Sequence, residues 1–261
     1  MILAIGYHIC IVLLQESLVQ ANISEMFGWY TLDAFPIFKC PRCEKGILSI
    51  EKKSMVEIEP AFSKIYTSHP ENDPMRSSYR FHMHLLCRRN DCGEVVSVVG
   101  KSGADVDINS MGEPVYIQHY QPKAFFPSPV LISLPKNTPE KVAGLIKAAS
   151  SVAWSDFNAA ANRLRVCAEV LLDELGVSRE DFDTLNKRIK RLGQAFQEHN
   201  EILTALRYVG NVGSHGEEVT RQVLINSFQL FEHMLEELYS GRKEKMQQMA
   251  KNLIETKGRG R

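Results

Sequence analysis

The sequence predicts an α+β protein in two parts, a small β module followed by an antiparallel helical bundle. Three observations predict it: two close cysteine pairs among β-branched runs between residues 35 and 100, five prolines between 101 and 137, and apolar residues recurring every three or four positions from 138 to 241. The 261 residues are 44% apolar, enough for a folded core. Lys plus Arg and Asp plus Glu are equal at 31 each, so whole-chain charge points to no partner, and only local clusters carry electrostatic information.

Residues 1–34 begin with a largely apolar run, Ile2 to Leu14, and Val19-Gln20-Ala21 loosely resembles a processing site. The run is too short to span a bilayer and no Lys or Arg precedes it, so neither a membrane span nor export is expected. Two readings stay open. Either Ile2 to Val19 forms an amphipathic or buried helix, or the segment is an upstream extension before a start at Met26.

Residues 35–100 hold the cysteine pairs. Ile47 to Ile58, Phe81 to Leu86 and Val95 to Val99 are predicted strands, and Pro60 to Ser78 a loop between them. Cys40-Pro41-Arg42-Cys43 has the turn spacing that lets two sulfurs converge on one ion, and Cys87 and Cys92 supply a second, wider pair. Six cysteines in a chain of this length are too few for a disulfide scaffold, which favours metal in a reducing cytoplasm. The expectation is a zinc ribbon with Cys40, Cys43, Cys87 and Cys92 as ligands. Four thiolates leave no open coordination position, so the zinc is expected to be structural. His82 and His84 precede Cys87 at alternating positions, so either could replace a cysteine as ligand, although one strand face also explains the pattern without metal. Cys10 and Cys167 sit among apolar residues and read as small core residues. Arg42, Arg88 and Arg89 either meet nucleic-acid phosphates or offset the thiolate charge.

Residues 101–137 contain Pro114, Pro122, Pro127, Pro129 and Pro135, which fix φ and remove amide donors, so helix is excluded and an extended, proline-rich connector is expected. Val115 to Ile117 and Val130 to Leu134 are candidate short strands, and Phe125 and Phe126 candidate anchors.

Residues 138–241 read as five helices. Thr138 is a predicted N-cap with Pro139 as first helical residue, ahead of Val142, Leu145, Ile146 and Ala149. Phe157 to Leu175 carries a second apolar stripe, with Gly176 placed to end it. Leu185 to Phe196 and Ile202 to Val209 predict a third and fourth, and Val223 to Leu238 a long fifth ended by Gly241. The short connections imply antiparallel neighbours. The tail, 242–261, holds seven Lys or Arg against two Glu; its middle extends helical character, and Gly258 to Arg261 is expected to be disordered.

Arg207, Asn211 and His215 share a helix face if the fourth helix continues through Gly210 and Gly213, and Arg165 and Glu169 lie four apart on the second. The string Arg207-Tyr208-Val209-Gly210-Asn211-Val212-Gly213-Ser214-His215, with Arg165 to Glu169 and Leu185 to Leu192 before it, resembles the prokaryotic domain-of-unknown-function family 4145 over about Thr138 to Tyr239. That family is similar to the HEPN superfamily of helical bundles, many of them metal-independent RNases of toxin and phage-defence systems. The resemblance implies a homodimer with a composite Arg and His site. Seven residues separate Arg207 from His215, more than in active HEPN nucleases.

Cleavage by 2′-hydroxyl attack needs a general acid or base, a role that suits His215, and a fixed cation for the developing phosphate charge, a role that suits Arg207, with Asn211 orienting either. Buried hydrogen bonds tying helix ends together would equally explain the three residues. Lys187, Arg188, Lys190 and Arg191 form a basic strip, read as a contact for RNA or DNA or as a solvated helix face. The expected function is therefore RNA binding or cleavage in a bacterial defence or toxin-like system. The alternative is a non-catalytic scaffold that recruits a protein or DNA partner.

Overall fold

The computed structural model describes residues 22–68, 74–192, 196–214 and 217–259. The chain divides into two compact units, 1–129 and 130–261. The apolar run before Ala21 and the last two residues lie outside the described residues, as does His215. No helix among the described residues is long and apolar enough to cross a membrane.

The first unit is a four-stranded antiparallel meander, β1 Leu48–Ile58, β2 Tyr79–Cys87, β3 Val95–Ile108 and β4 Pro114–Phe126, in that spatial order. Alternation along β2 sets its faces: Phe81, Met83, Leu85 and Cys87 are buried while His82 and Leu86 turn outward. A chain of edge-to-face aromatics fills the buried side. Phe38 meets Phe125 at 5.2 Å and Phe81 meets Tyr120 at 5.3 Å between ring centroids. Glu57 on β1 accepts hydrogen bonds from Ser102 on β3 and from Gln118 and Tyr120 on β4, so the sheet coils enough for its first strand to reach its last. Burial and the Glu57 carboxylate push the Tyr120 phenol up to about 12. The loop expected between β1 and β2 contains a short helix, α1 Ala61–Thr67.

The segment expected to be a connector is divided differently. Residues 101–108 complete β3 and 114–126 form β4, so most of it belongs to the sheet. The prolines exclude helix but not an edge strand. Pro114 is the first residue of β4, and Pro122 pairs with Gly100 beside the register shift after Val99, where the ladder is already interrupted. A side chain at Gly100 would run into the Gln121 carbonyl. Phe125 is buried as an anchor, whereas Phe126 is exposed. Val130 to Leu134 forms no strand; Leu131 and Ile132 are buried in the second unit, where the Leu131 amide donates to Ser150 Oγ at 3.2 Å.

The second unit is helical: α2 Glu140–Val152, α3 Phe157–Glu174, α4 Leu185–Arg191, α5 Gln197–Ser214, α6 Arg221–Tyr239 and α7 Arg242–Glu255. Asp156, Thr184 and Thr220 cap α3, α4 and α6 by accepting the amides of Ala159, Lys187 and Val223. The first of these helices starts one residue later than expected, with Pro139 at the cap position. Gly176, at φ 82°, ends α3, and the Val177 amide returns to the Leu172 carbonyl. The core is the apolar stripe of each helix: Ala160, Leu164, Cys167 and Leu171 on α3, Leu203 and Leu206 on α5, and Leu224, Phe228, Phe231 and Leu235 on α6. The basic tail is helical through α7, which buries no residue.

Candidate functional site

Two loops bring the four predicted ligands of the first unit together. The first turn is closed by the Cys40 amide on the Gly46 carbonyl and the Glu44 amide on the Cys40 carbonyl, and the Gly46 amide reaches Cys43 Sγ at 3.2 Å. In the second, the Cys92 and Gly93 amides return to the Arg89 carbonyl, and Gly93 takes φ 59°. A side chain on Gly46 would collide with Cys87 Sγ, so the approach of the two loops depends on that glycine.

The four sulfurs lie within 4.8 Å of one another, with Cys40 Sγ 3.7 Å from Cys92 Sγ and Cys43 Sγ 3.8 Å from Cys87 Sγ. Ligands bound tetrahedrally at about 2.3 Å stand about 3.8 Å apart, so the spacing is that of a thiolate cage around one metal ion. Burial pushes Cys87 up to about 12, with the sulfurs of Cys40, Cys92 and Cys43 adding to the rise. Burial acts in the same direction on Cys43, but the amides of Gly46 and Lys45 and the neighbouring sulfurs outweigh it and hold that thiol at about 6. A cation among the four sulfurs would favour the thiolate form of each. His82 points away from the buried face that carries Cys87, and His84 Nδ1 lies 3.2 Å from Ser97 Oγ, so neither replaces a cysteine.

In the second unit, α5 continues through both glycines to Ser214. A side chain at Gly210 would collide with the Arg165 stem, and one at Gly213 would meet the Asn158 carbonyl. The glycines therefore let α3 and α5 approach closely. Asn158 also fastens the chain beyond α5, donating to the Glu217 carbonyl at 2.9 Å and accepting the Val219 amide at 2.8 Å.

A groove of about 560 Å³ runs between these helices and the start of α4, lined by Arg165, Glu169, Arg179, Asp183, Thr184, Asn186, Arg188, Arg207 and Asn211 among others. Four arginines face two carboxylates, so its balance is positive. Arg165 pairs with Glu169 at 2.8 Å. Arg207 stacks its guanidinium 4.2 Å from the centroid of the exposed Tyr208 ring, and its Nε is buried without a hydrogen-bond partner among the described residues.

The four residues of the basic strip differ in burial and partners. Arg188 is buried, donating to the Val177 carbonyl at 2.6 Å and to the Asp173 carboxylate at 2.6 Å, so it ties the turn after α3 to the last turn of that helix. Arg191 pairs with Asp183 and donates to the Ser178 carbonyl. Asp183 is held at about 2, chiefly by that arginine and also by the Glu180 amide. Lys187, Lys190 and Arg191 are exposed, and Arg188 alone is buried.

A family model described as Domain of unknown function (DUF4145) matches residues 147–255, and one described as Domain of unknown function (DUF8608) matches residues 29–128. The boundary between the matches falls where the two compact units divide. No curated protein and no solved structure matches the chain. Of the groove residues, the sequence reading missed Arg179, Asp183, Thr184 and Asn186. They lie in the segment leading into α4 and in its first turn, where spacing along one helix gives no signal.

Proposed function

We propose that the chain is a zinc-ribbon, HEPN-like helical protein that binds RNA along the α3–α5 groove and cleaves it, in a bacterial defence or toxin-like setting. The observation that carries this reading is Arg207, which lines an arginine-rich groove and whose buried Nε has no hydrogen-bond partner among the described residues. A buried donor without a partner is costly, and a phosphate oxygen would satisfy it. Arg207 holds the phosphate and Asn211, on the next turn of the same face, orients it. His215, four residues further, takes the 2′-hydroxyl proton as that oxygen attacks phosphorus. The 5′-oxygen leaves with a proton, and the products are a 2′,3′-cyclic phosphate and a 5′-hydroxyl. A homodimer would double the site and extend the groove. In the first unit, zinc holds Cys40, Cys43, Cys87 and Cys92 together and takes no part in the chemistry.

The test is cleavage of labelled single-stranded RNA by the purified full chain and by Arg207→Ala, Asn211→Ala and His215→Ala. Loss of one catalytic group is expected to slow cleavage by about a hundredfold or more with helical content unchanged. RNA that is neither bound nor cut overturns the reading. That outcome would favour the scaffold alternative, for which the exposed Phe62, Ile65 and Tyr66 of α1 offer a surface to a protein partner.

A further inference from the structure

A second cluster of ligand-type side chains lies at the other end of α5, away from the groove. Glu198 and His199 stand in the first turn of α5 and Glu237 in the last turn of α6. One ligand atom from each lies within 4.8 Å of the other two.

Their environments differ in a way that points to a ligand. His199 is only 3% exposed, packs its ring against Phe196, and makes no hydrogen bond among the described residues. A buried imidazole normally finds a partner for at least one nitrogen. Glu198 and Glu237 are exposed and form no ion pair among the described residues, although their carboxylates approach each other. Two converging carboxylates repel each other, and the imidazole beside them has a lone pair to give.

From this we infer that Glu198, His199 and Glu237 bind a divalent transition-metal ion across the α5–α6 contact. One imidazole nitrogen and two carboxylate oxygens suit a first-row ion such as Mn²⁺ or Zn²⁺ better than the all-oxygen shell of Ca²⁺ or Mg²⁺. Solvent reaches the carboxylates, so water completes the coordination, unlike the closed thiolate cage. His199 is eight residues from Arg207, about 12 Å along the helix, so the ion fixes α5 against α6 and does not enter the groove chemistry.

The experiment titrates Mn²⁺ into the full chain with its thiolate site loaded with zinc, following the loss of the free-ion electron paramagnetic resonance signal. Manganese stands lowest in the divalent affinity order and does not displace zinc from four thiolates, so the titration reads the nitrogen and oxygen site alone. Wild type is expected to take up one Mn²⁺ per chain and to melt at a higher temperature with it. Glu237→Gln and Glu198→Gln are expected to weaken binding by at least about tenfold, the least that loss of even an outer partner usually costs. His199→Gln is expected to do the same, and because it disturbs a buried position the two exposed variants decide. Glu236→Gln, an exposed neighbour outside the cluster, is expected to bind as wild type does. No uptake by wild type, or equal uptake by Glu237→Gln, would overturn the proposal.

Discussion

The two units assemble their chemistry in opposite ways. In the first, the four cysteines stand on two loops that the sheet only brings near each other, and backbone turns at Gly46 and Gly93 finish the approach. In the second, the groove residues stand mostly on helices whose apolar stripes already fix them, and glycines act by letting α3 and α5 come close. The first arrangement gathers four sulfurs that could hold a metal ion. The second rests chiefly on its apolar core, so the two units are expected to fail separately.

Metal removal should separate them most sharply. Small zinc-bound domains draw about 10–16 kcal/mol from the ion, so chelation, or Cys40→Ser, is expected to abolish zinc uptake and unfold the first unit while helical circular dichroism persists. Simultaneous loss of helix would show that the units are not independent. Next in size, Phe228→Ala removes a fully buried ring from α6 and is expected to destabilise the helical unit by about 3–5 kcal/mol, leaving zinc content unchanged.

A smaller effect has a telling sign. Alanine for glycine inside a helix ordinarily stabilises by about 1 kcal/mol, but Gly210→Ala drives a methyl into the Arg165 stem and is expected to cost about 1–3 kcal/mol. Stabilisation measured by urea unfolding would mean that the helices do not meet there. Smallest is the acid response of Asp183. Its folded value of about 2 lies below the ordinary carboxylate value of about 3.9, so its contribution is present above pH 4 and lost as pH falls towards 2. Asp183→Asn is expected to flatten that part of the stability curve, and a variant curve parallel to wild type would disprove the pairing with Arg191.

Periodicity made the helices legible: the stripe on Phe157 to Leu175 and the stop at Gly176 are properties of adjacent residues. The cysteine set was legible because ligand spacing is local within each pair. The connector was misread because its prolines forbid helix but leave open whether the extended chain pairs with a neighbour, which depends on β3. Arg188 looked like part of a basic strip, and only the turn after α3 packing over it reveals a buried side chain bonded to the Val177 carbonyl. The cluster of Glu198, His199 and Glu237 was hidden because its members are contributed by two helices far apart in sequence.

The prolines of β4 have one more consequence. Tyr30 exchanges both backbone hydrogen bonds with Tyr120 on the side of β4 that faces away from β3. Residues 114 and 122 share the parity of Tyr120 in the β3 register, so their nitrogens face that same outer rim, and both are prolines with nothing to donate. Between them only Tyr116 and Gln118 offer outward amides. A foreign strand seeking to extend the sheet finds the ladder broken at three of five rungs, and this disfavours self-association along a thirteen-residue strand.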